Sequence, residues 1–203
     1  MIVIGLTGSI AMGKSTVAEL FRAEGVPAFD SDAAVHALYR GVEAQQIEDA
    51  FPGVMVGGAI DRGRLGERVL NDRAALARLE AMVHPIVARA RGEFLAASAA
   101  AARRAAVVDI PLLFESGAEG ALDLVVVVSA PEAVQKARAM ARPGMTAARL
   151  AAILANQMPD IEKRRRAHAV IDTRGALEVT RAQTIGLLRS LSGLVGKYRD
   201  IHA

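Results

Sequence analysis

The amino-acid sequence predicts an α/β fold, a doubly wound parallel sheet of five strands with helices on both faces. Three observations predict it. Several short apolar runs are continuous rather than alternating, the pattern of strands buried on both faces. These runs take turns with segments whose apolar residues recur at helical spacing. A glycine-rich stretch, GLTGSIAMGKST at residues 5–16, stands between the first such strand and the first such helix.

The elements follow in order. MIVIGLTG is the first strand, and Val17, Leu20 and Phe21 then mark a helix that Gly25 closes. VPAFDSD is a short second strand ending in two carboxylates, Asp30 and Asp32. A strand running through both puts them on one face, because side chains alternate with a period of two. RRAAVVDIPLLFE supplies the third strand, with its body at 105–110, LDLVVVVSAP the fourth and HAVIDT the fifth. Between strands, Leu76, Leu79, Val83, Ile86, Val87 and Ala90 mark a long helix. Pro85 is expected to kink it near His84. Thr146 is placed to cap a helix carrying Leu150, Ile153, Leu154 and Gln157. Ile185, Leu188 and Leu191 mark the last helix.

This organisation gives a single core from residues 1–32, 101–130 and 166–203. Residues 33–100 form a helical insertion with a glycine-rich turn, PGVMVGGAIDRG, suited to shaping an acceptor pocket. Residues 131–165 form an arginine-rich helical excursion where a lid is expected. With two Tyr, five Phe and no Trp, the core must be aliphatic. The absence of cysteine excludes a disulfide framework and a thiolate metal site. No apolar run approaches the roughly 18 residues that a membrane helix needs. Met1 leads straight into a strand without a basic leader, so the expected location is cytoplasmic. A net charge of +3 suits anionic small molecules. The run KRRR at 163–166 is short and lacks interleaved aromatics, so it reads as a solvated helix end. Neither nucleic acid nor membrane is an expected partner, and the expected state is a monomer or weak homo-oligomer.

The glycine-rich stretch contains G-x-x-x-x-G-K-[ST] as Gly8, Gly13, Lys14 and Ser15, the phosphate-binding loop pattern. Glycines let the backbone wrap a polyphosphate, turning N–H groups of Gly8, Ala11, Met12 and Gly13 inward. The helix behind adds its positive end. Lys14 then reaches the β- and γ-phosphates, Ser15 ligates Mg²⁺, and Thr16 helps to hold the α-phosphate. Asp109 ends the third strand either as a second Mg²⁺ ligand or as a strand-end cap. A carboxylate at the end of the second strand can accept the proton of an attacking hydroxyl. A guanine-reading N-K-x-D is absent, and DTRG at 172–175 lies late and without a partner motif. The small size, the helical insertion and the arginine-rich excursion favour an ATP-dependent kinase of a small metabolite over a GTPase or a motor. A nucleoside monophosphate kinase and a nucleotide-binding switch without chemistry stay open as alternatives.

The ordered set GLTGSIAMGKST, FDSDAAVH, IDRGRLGERV, LEAMVHPIV, VVDIPLLFE and ARPGMT resembles the dephospho-CoA kinases. The resemblance covers most of the chain, from Gly5 to about Thr173. It implies transfer of the ATP γ-phosphate to the ribose 3′-hydroxyl of dephospho-coenzyme A, the last step of coenzyme A synthesis. It further implies that Asp32 is the base and that Lys14 and Arg142 are catalytic. The insertion with Arg62, Leu65 and His84 becomes the coenzyme A-binding part, and Pro111, Leu112 and Arg138 further substrate contacts. Thr173 falls near the adenine. Three positions depart from the family's usual pattern: Ser9 replaces a glycine, Met12 a serine, and Thr173 an asparagine in many relatives.

Overall fold

A computed structural model describes residues 1–70 and 72–196. Residue 71 of the expected insertion and 197–203 of the expected core lie outside the described residues. The chain divides into two compact units, Met1–Phe29 with Ala96–Ala203, and Asp30–Leu95.

The first unit is built on strands β1 (Ile2–Thr7), β2 (Ala28–Asp30), β5 (Ala105–Asp109), β6 (Leu124–Ser129) and β7 (Ala169–Asp172). They form one sheet in the order β2-β5-β1-β6-β7. β1 pairs in parallel with β5 on one side and β6 on the other, and β6 with β7. The central strand is therefore flanked by strands reached in opposite winding directions. That opens a crevice at its carboxyl end, where such sheets bind ligands.

β6 shows why its four valines run continuously. Val126 and Val128 join Ile4, Leu6, Val17 and Phe21 in one core, while Val125 and Val127 join Leu113 and Phe114 in another. Alternate side chains thus serve two cores on opposite faces, and a polar residue on either face would be buried. Helix α1 (Lys14–Ala23) buries Val17, Ala18, Leu20 and Phe21 and ends at Gly25, whose φ of 80° is the left-handed stop. Three helices follow β6: α6 (Glu132–Met140), α7 (Ala147–Ala155) and α8 (Asp160–Arg166). Thr146 caps α7 by accepting the Arg149 N–H at 3.1 Å. α9 (Leu177–Ser190) closes the unit.

The second unit holds α2 (Ser31–Leu38), α3 (Ala44–Ala50), the hairpin β3 (Met55–Val56) and β4 (Ala59–Ile60), α4 (Arg62–Val69) and most of α5 (Arg73–Ala100). Its own core contains Leu38, Ile47, Phe51, Val54, Leu65 and Val83. The sequence reading passed over the hairpin, treating its residues as a turn. Gly57 and Gly58 both have positive φ, 59° and 83°, as a two-residue hairpin turn of this hand requires.

One further expectation needs correction. β2 stops at Asp30, which caps α2 by accepting the Ala33 N–H at 2.9 Å. Asp32 is consequently a first-turn helix residue, and the shared-face argument for the two aspartates fails. α5 also runs on through Pro85, which lies inside a helix assigned continuously from Arg73 to Ala100. Leu79 and Val83 before it and Ile86 and Val87 after it pack on the same core, which offsets the hydrogen bond that proline removes.

Candidate active site

The loop joining β1 to α1 is held by its backbone. Gly8 is buried where a Cβ would lie 2.6 Å from the Val128 carbonyl oxygen, so only glycine fits. Gly13 takes φ 89° and is the residue from which α1 starts. Ala11 is held at φ 61° and buried, a left-handed conformation that costs a non-glycine residue energy and that the surroundings must enforce.

Those surroundings are visible. The Ile10 N–H donates to Gln157 Oε1 at 3.1 Å, and Gln135 Nε2 donates to the Ile10 carbonyl at 2.8 Å. The Ala130 N–H donates to the Met12 thioether at 3.1 Å, and the Thr173 hydroxyl to the Met12 carbonyl at 2.7 Å. Sequence reading missed Gln135 and Gln157 as supports. Gln135 lies on α6, while Gln157 lies in the bend beyond α7, which ends at Ala155 and so does not carry it, against the expectation from sequence. Neither side chain gives a signal of its distant partner along the chain, although an amide can bond a carbonyl and an N–H at once. Met12, at the position where the resemblance expects serine, is only 2% exposed and packs under the loop.

Lys14 and Ser15 open α1, and Ser15 and Thr16 present exposed side chains. Lys14 Nζ donates to Asp109 Oδ1 at the carboxyl end of β5. The adjoining cleft, of about 290 Å³, is lined by Ala11, Gly13, Thr16, Arg138, Arg142 and Thr173, among others. Arg138 donates to the Thr173 hydroxyl at 3.0 Å and to its carbonyl at 2.6 Å. Arg142 stands exposed one turn later, in the bend after α6. The first unit thus gathers Lys14, Ser15, Thr16, Asp109, Arg138, Arg142 and Thr173. Pro111 receives the Thr7 hydroxyl at its carbonyl, while Leu112 is 44% exposed beside the buried Leu113 and Phe114.

The second unit carries the remaining candidates. Asp32 is exposed in the first turn of α2. Arg62 opens α4 and lies with Nη1 2.7 Å from His36 Nε2. A guanidinium only donates, so that imidazole nitrogen accepts. His36, Tyr39, Arg40, Asp61 and Arg62 line a cleft of about 340 Å³. Burial pushes the Tyr39 hydroxyl pKa up, with the Arg62 charge working against it. His84 is exposed on α5 and caps no helix. His36 and Arg40 went unassigned in the sequence, because the turn that brings them beside Arg62 is tertiary.

The basic run at 163–166 is not simply a solvated helix end. Lys163 is fully buried and sits 3.0 Å from Glu115 Oε1. Glu115 also accepts the Met158 N–H at 2.7 Å. Its burial acts to raise the carboxyl pKa, but the Met158 N–H and Lys163 outweigh that and hold it below the ordinary glutamate value. Arg166 pairs with Glu119 and lies 4.7 Å from the centre of the Phe114 ring.

A glycine loop braced at the carboxyl end of a central parallel strand, with lysine and hydroxyls at the following helix start, defines a P-loop kinase. The dephospho-CoA kinase (CoaE) family model matches residues 2–178. The chain belongs to the dephospho-CoA kinase family and is, with it, an ATP-dependent kinase. It is 56% identical to the dephospho-CoA kinase of Mesorhizobium japonicum, over 97% of this chain and 100% of that protein. Among solved structures, TT1252 from Thermus thermophilus is 40% identical with a TM-score of 0.83, over 95% of this chain and 98% of that one. The dephospho-CoA kinase from Campylobacter jejuni is 28% identical with a TM-score of 0.70, over 94% and 96%. Among the described residues, no helix is long and apolar enough to cross a membrane.

Proposed function

We propose that this chain transfers the γ-phosphate of ATP to the ribose 3′-hydroxyl of dephospho-coenzyme A, in the cytoplasm, as a monomer or weak homo-oligomer. A bond forms between the 3′-oxygen and the γ-phosphorus, the bond from that phosphorus to the β–γ bridging oxygen breaks, and ADP leaves. Asp32 accepts the proton of the attacking hydroxyl. Lys14 and Arg142 stabilise charge on the moving phosphoryl group, and the loop N–H groups of Gly8, Ala11 and Gly13 hold the phosphates it leaves behind. The Met12 N–H donates to the Ser9 carbonyl at 3.2 Å and is shared between that turn and the phosphate. Thr16 assists at the α-phosphate.

Magnesium fits the residues present. Ser15 supplies a hydroxyl and Asp109 a carboxylate, the hard oxygen donors that Mg²⁺ takes together with phosphate oxygens and water. Among the described residues, no group of three His, Cys, Asp or Glu could hold a metal alone. When bound, the ion neutralises charge between the β- and γ-phosphates.

On the acceptor side, Arg62 and His84 take the remote parts of dephospho-coenzyme A, with Pro111, Leu112 and Arg138 as further contacts. The cleft with Arg40 and Arg62 at its wall has the charge a diphosphate needs. Remote binding energy then orients the hydroxyl for in-line attack. The observation that supports the reading most is the loop held open by four hydrogen bonds from outside it, next to a cleft carrying two arginines. A coupled ADP assay over dephospho-coenzyme A, AMP and adenosine tests it. Dephospho-coenzyme A is expected to be the best acceptor, and shortening its pantetheine arm to lower turnover as well as raise KM. AMP outperforming it would move the activity to nucleotides.

A further inference from the structure

Thr173 directly follows β7 and is only 6% exposed. Its N–H donates to the Ser129 carbonyl at 2.9 Å, fixing it to the neighbouring strand β6. Its hydroxyl donates to the Met12 carbonyl at 2.7 Å and accepts from Arg138. A hydroxyl carries one hydrogen, so with Met12 as its acceptor it has none for a base. We infer that Thr173 is a positioning residue for the triphosphate: it sets the Met12–Gly13 peptide and holds the Arg138 guanidinium at the cleft, and does not read adenine.

The peptide geometry carries the argument. In a trans peptide the carbonyl and the N–H point in opposite directions, and no cis bond occurs among the described residues. Drawing the Met12 carbonyl onto Thr173 therefore turns the Gly13 N–H away from Thr173. Gly13 stands just before α1, so that N–H has no partner within the helix and is open to an anion. Met12 is held a second time through its sulfur, which accepts the Ala130 N–H at 3.1 Å. Contact is close enough that a Cβ on Gly13 would meet Thr173 Oγ1 at 3.2 Å. Arg138 forks onto the hydroxyl and carbonyl of the same residue, which fixes its charge beside Gly13, Thr16 and Arg142.

This inference rests on the loop being the triphosphate site, and the experiment separates the two. Binding of inorganic tripolyphosphate, ADP and adenosine is measured by calorimetry for the parent protein, Thr173→Ser, Thr173→Cys and Thr173→Val, with KM for ATP and for dephospho-coenzyme A. Thr173→Val should weaken tripolyphosphate and ADP by roughly 10-fold, the scale of one lost hydrogen bond. Adenosine affinity should not move. Thr173→Ser should restore the parent values, and Thr173→Cys, a weak donor, should fall between. If Thr173→Val does not fold, that Ser-over-Cys order carries the test. Adenosine weakened with tripolyphosphate unchanged would make Thr173 a base reader and overturn the inference. Equal binding by all variants would overturn it too. Lys14→Met binding ADP and tripolyphosphate as the parent does would overturn the phosphate-loop reading itself.

Discussion

In the first unit, the candidate nucleotide groups are backbone amides fixed by buried neighbours. In the second, the candidate acceptor groups are exposed side chains on helices, Asp32 and Arg62 at helix starts and His84 in mid-helix. Gly8, Ala11 and Met12 are buried, and the loop they form is bonded by Gln135, Gln157, Ala130 and Thr173. Asp32, Arg62 and His84 are exposed, and the Arg62 guanidinium bonds another polar side chain, His36. The difference teaches where each site's precision comes from. A polyphosphate is recognised by a fixed array of N–H groups, so its site must be rigid before the ligand arrives. A long flexible acceptor is recognised by a few charges and a base, and it supplies part of the order itself.

This contrast is broken most sharply at Lys14. Lys14→Met removes the charge that follows the γ-phosphoryl group, and turnover should fall by several orders of magnitude, roughly 10³–10⁵-fold. Circular dichroism should show the fold intact. Near-normal turnover would remove the first half of the comparison.

Asp32→Asn comes next, with a fall in turnover of roughly 10²–10⁴-fold if it is the base. Asp30→Asn should change turnover far less, since Asp30 is occupied as the cap of α2 and asparagine caps equally well. A reversed ranking would assign the base to Asp30.

Arg62→Ala sharpens the second half. It should raise KM for dephospho-coenzyme A by roughly 10-fold, the worth of a charge-assisted hydrogen bond, while leaving KM for ATP unchanged. A matching rise in both would contradict the division of labour between the units.

The smallest effect concerns stability alone. Glu115 has its carboxyl pKa lowered in the folded protein, so its contribution is present above its unfolded value of about 4.3 and is lost as pH falls through the lower folded value. Acid unfolding followed by fluorescence of an added dye should therefore begin at higher pH than for Glu115→Gln relative to each protein's neutral-pH stability. Identical acid profiles would mean that Lys163 and the Met158 N–H do not hold this carboxylate.

Much of this was legible in the sequence because it is local. The four valines of β6, the loop motif after β1, the glycine stop after α1 and the Thr146 cap each depend on neighbours within a few residues. What stayed hidden depends on distant partners. Asp30 and Asp32 looked alike until Asp30 was taken by a helix cap. Pro85 reads as a kink, and the sequence does not announce the shared core that α5 packs on to either side of it. Lys163 looked solvated because nothing along the chain announces Glu115, which lies 48 positions earlier in sequence (163 − 115). Thr173 looked like a base contact, and its hydroxyl was already committed to Met12.

The most direct measurement is the identity of the product. The purified protein with ATP, Mg²⁺ and dephospho-coenzyme A should form ADP and one new phosphomonoester in equal amounts, with ³¹P NMR and mass spectrometry placing the new phosphate on the ribose 3′-oxygen. ADP formed without coenzyme A, or a phosphate on any other oxygen, would contradict the account.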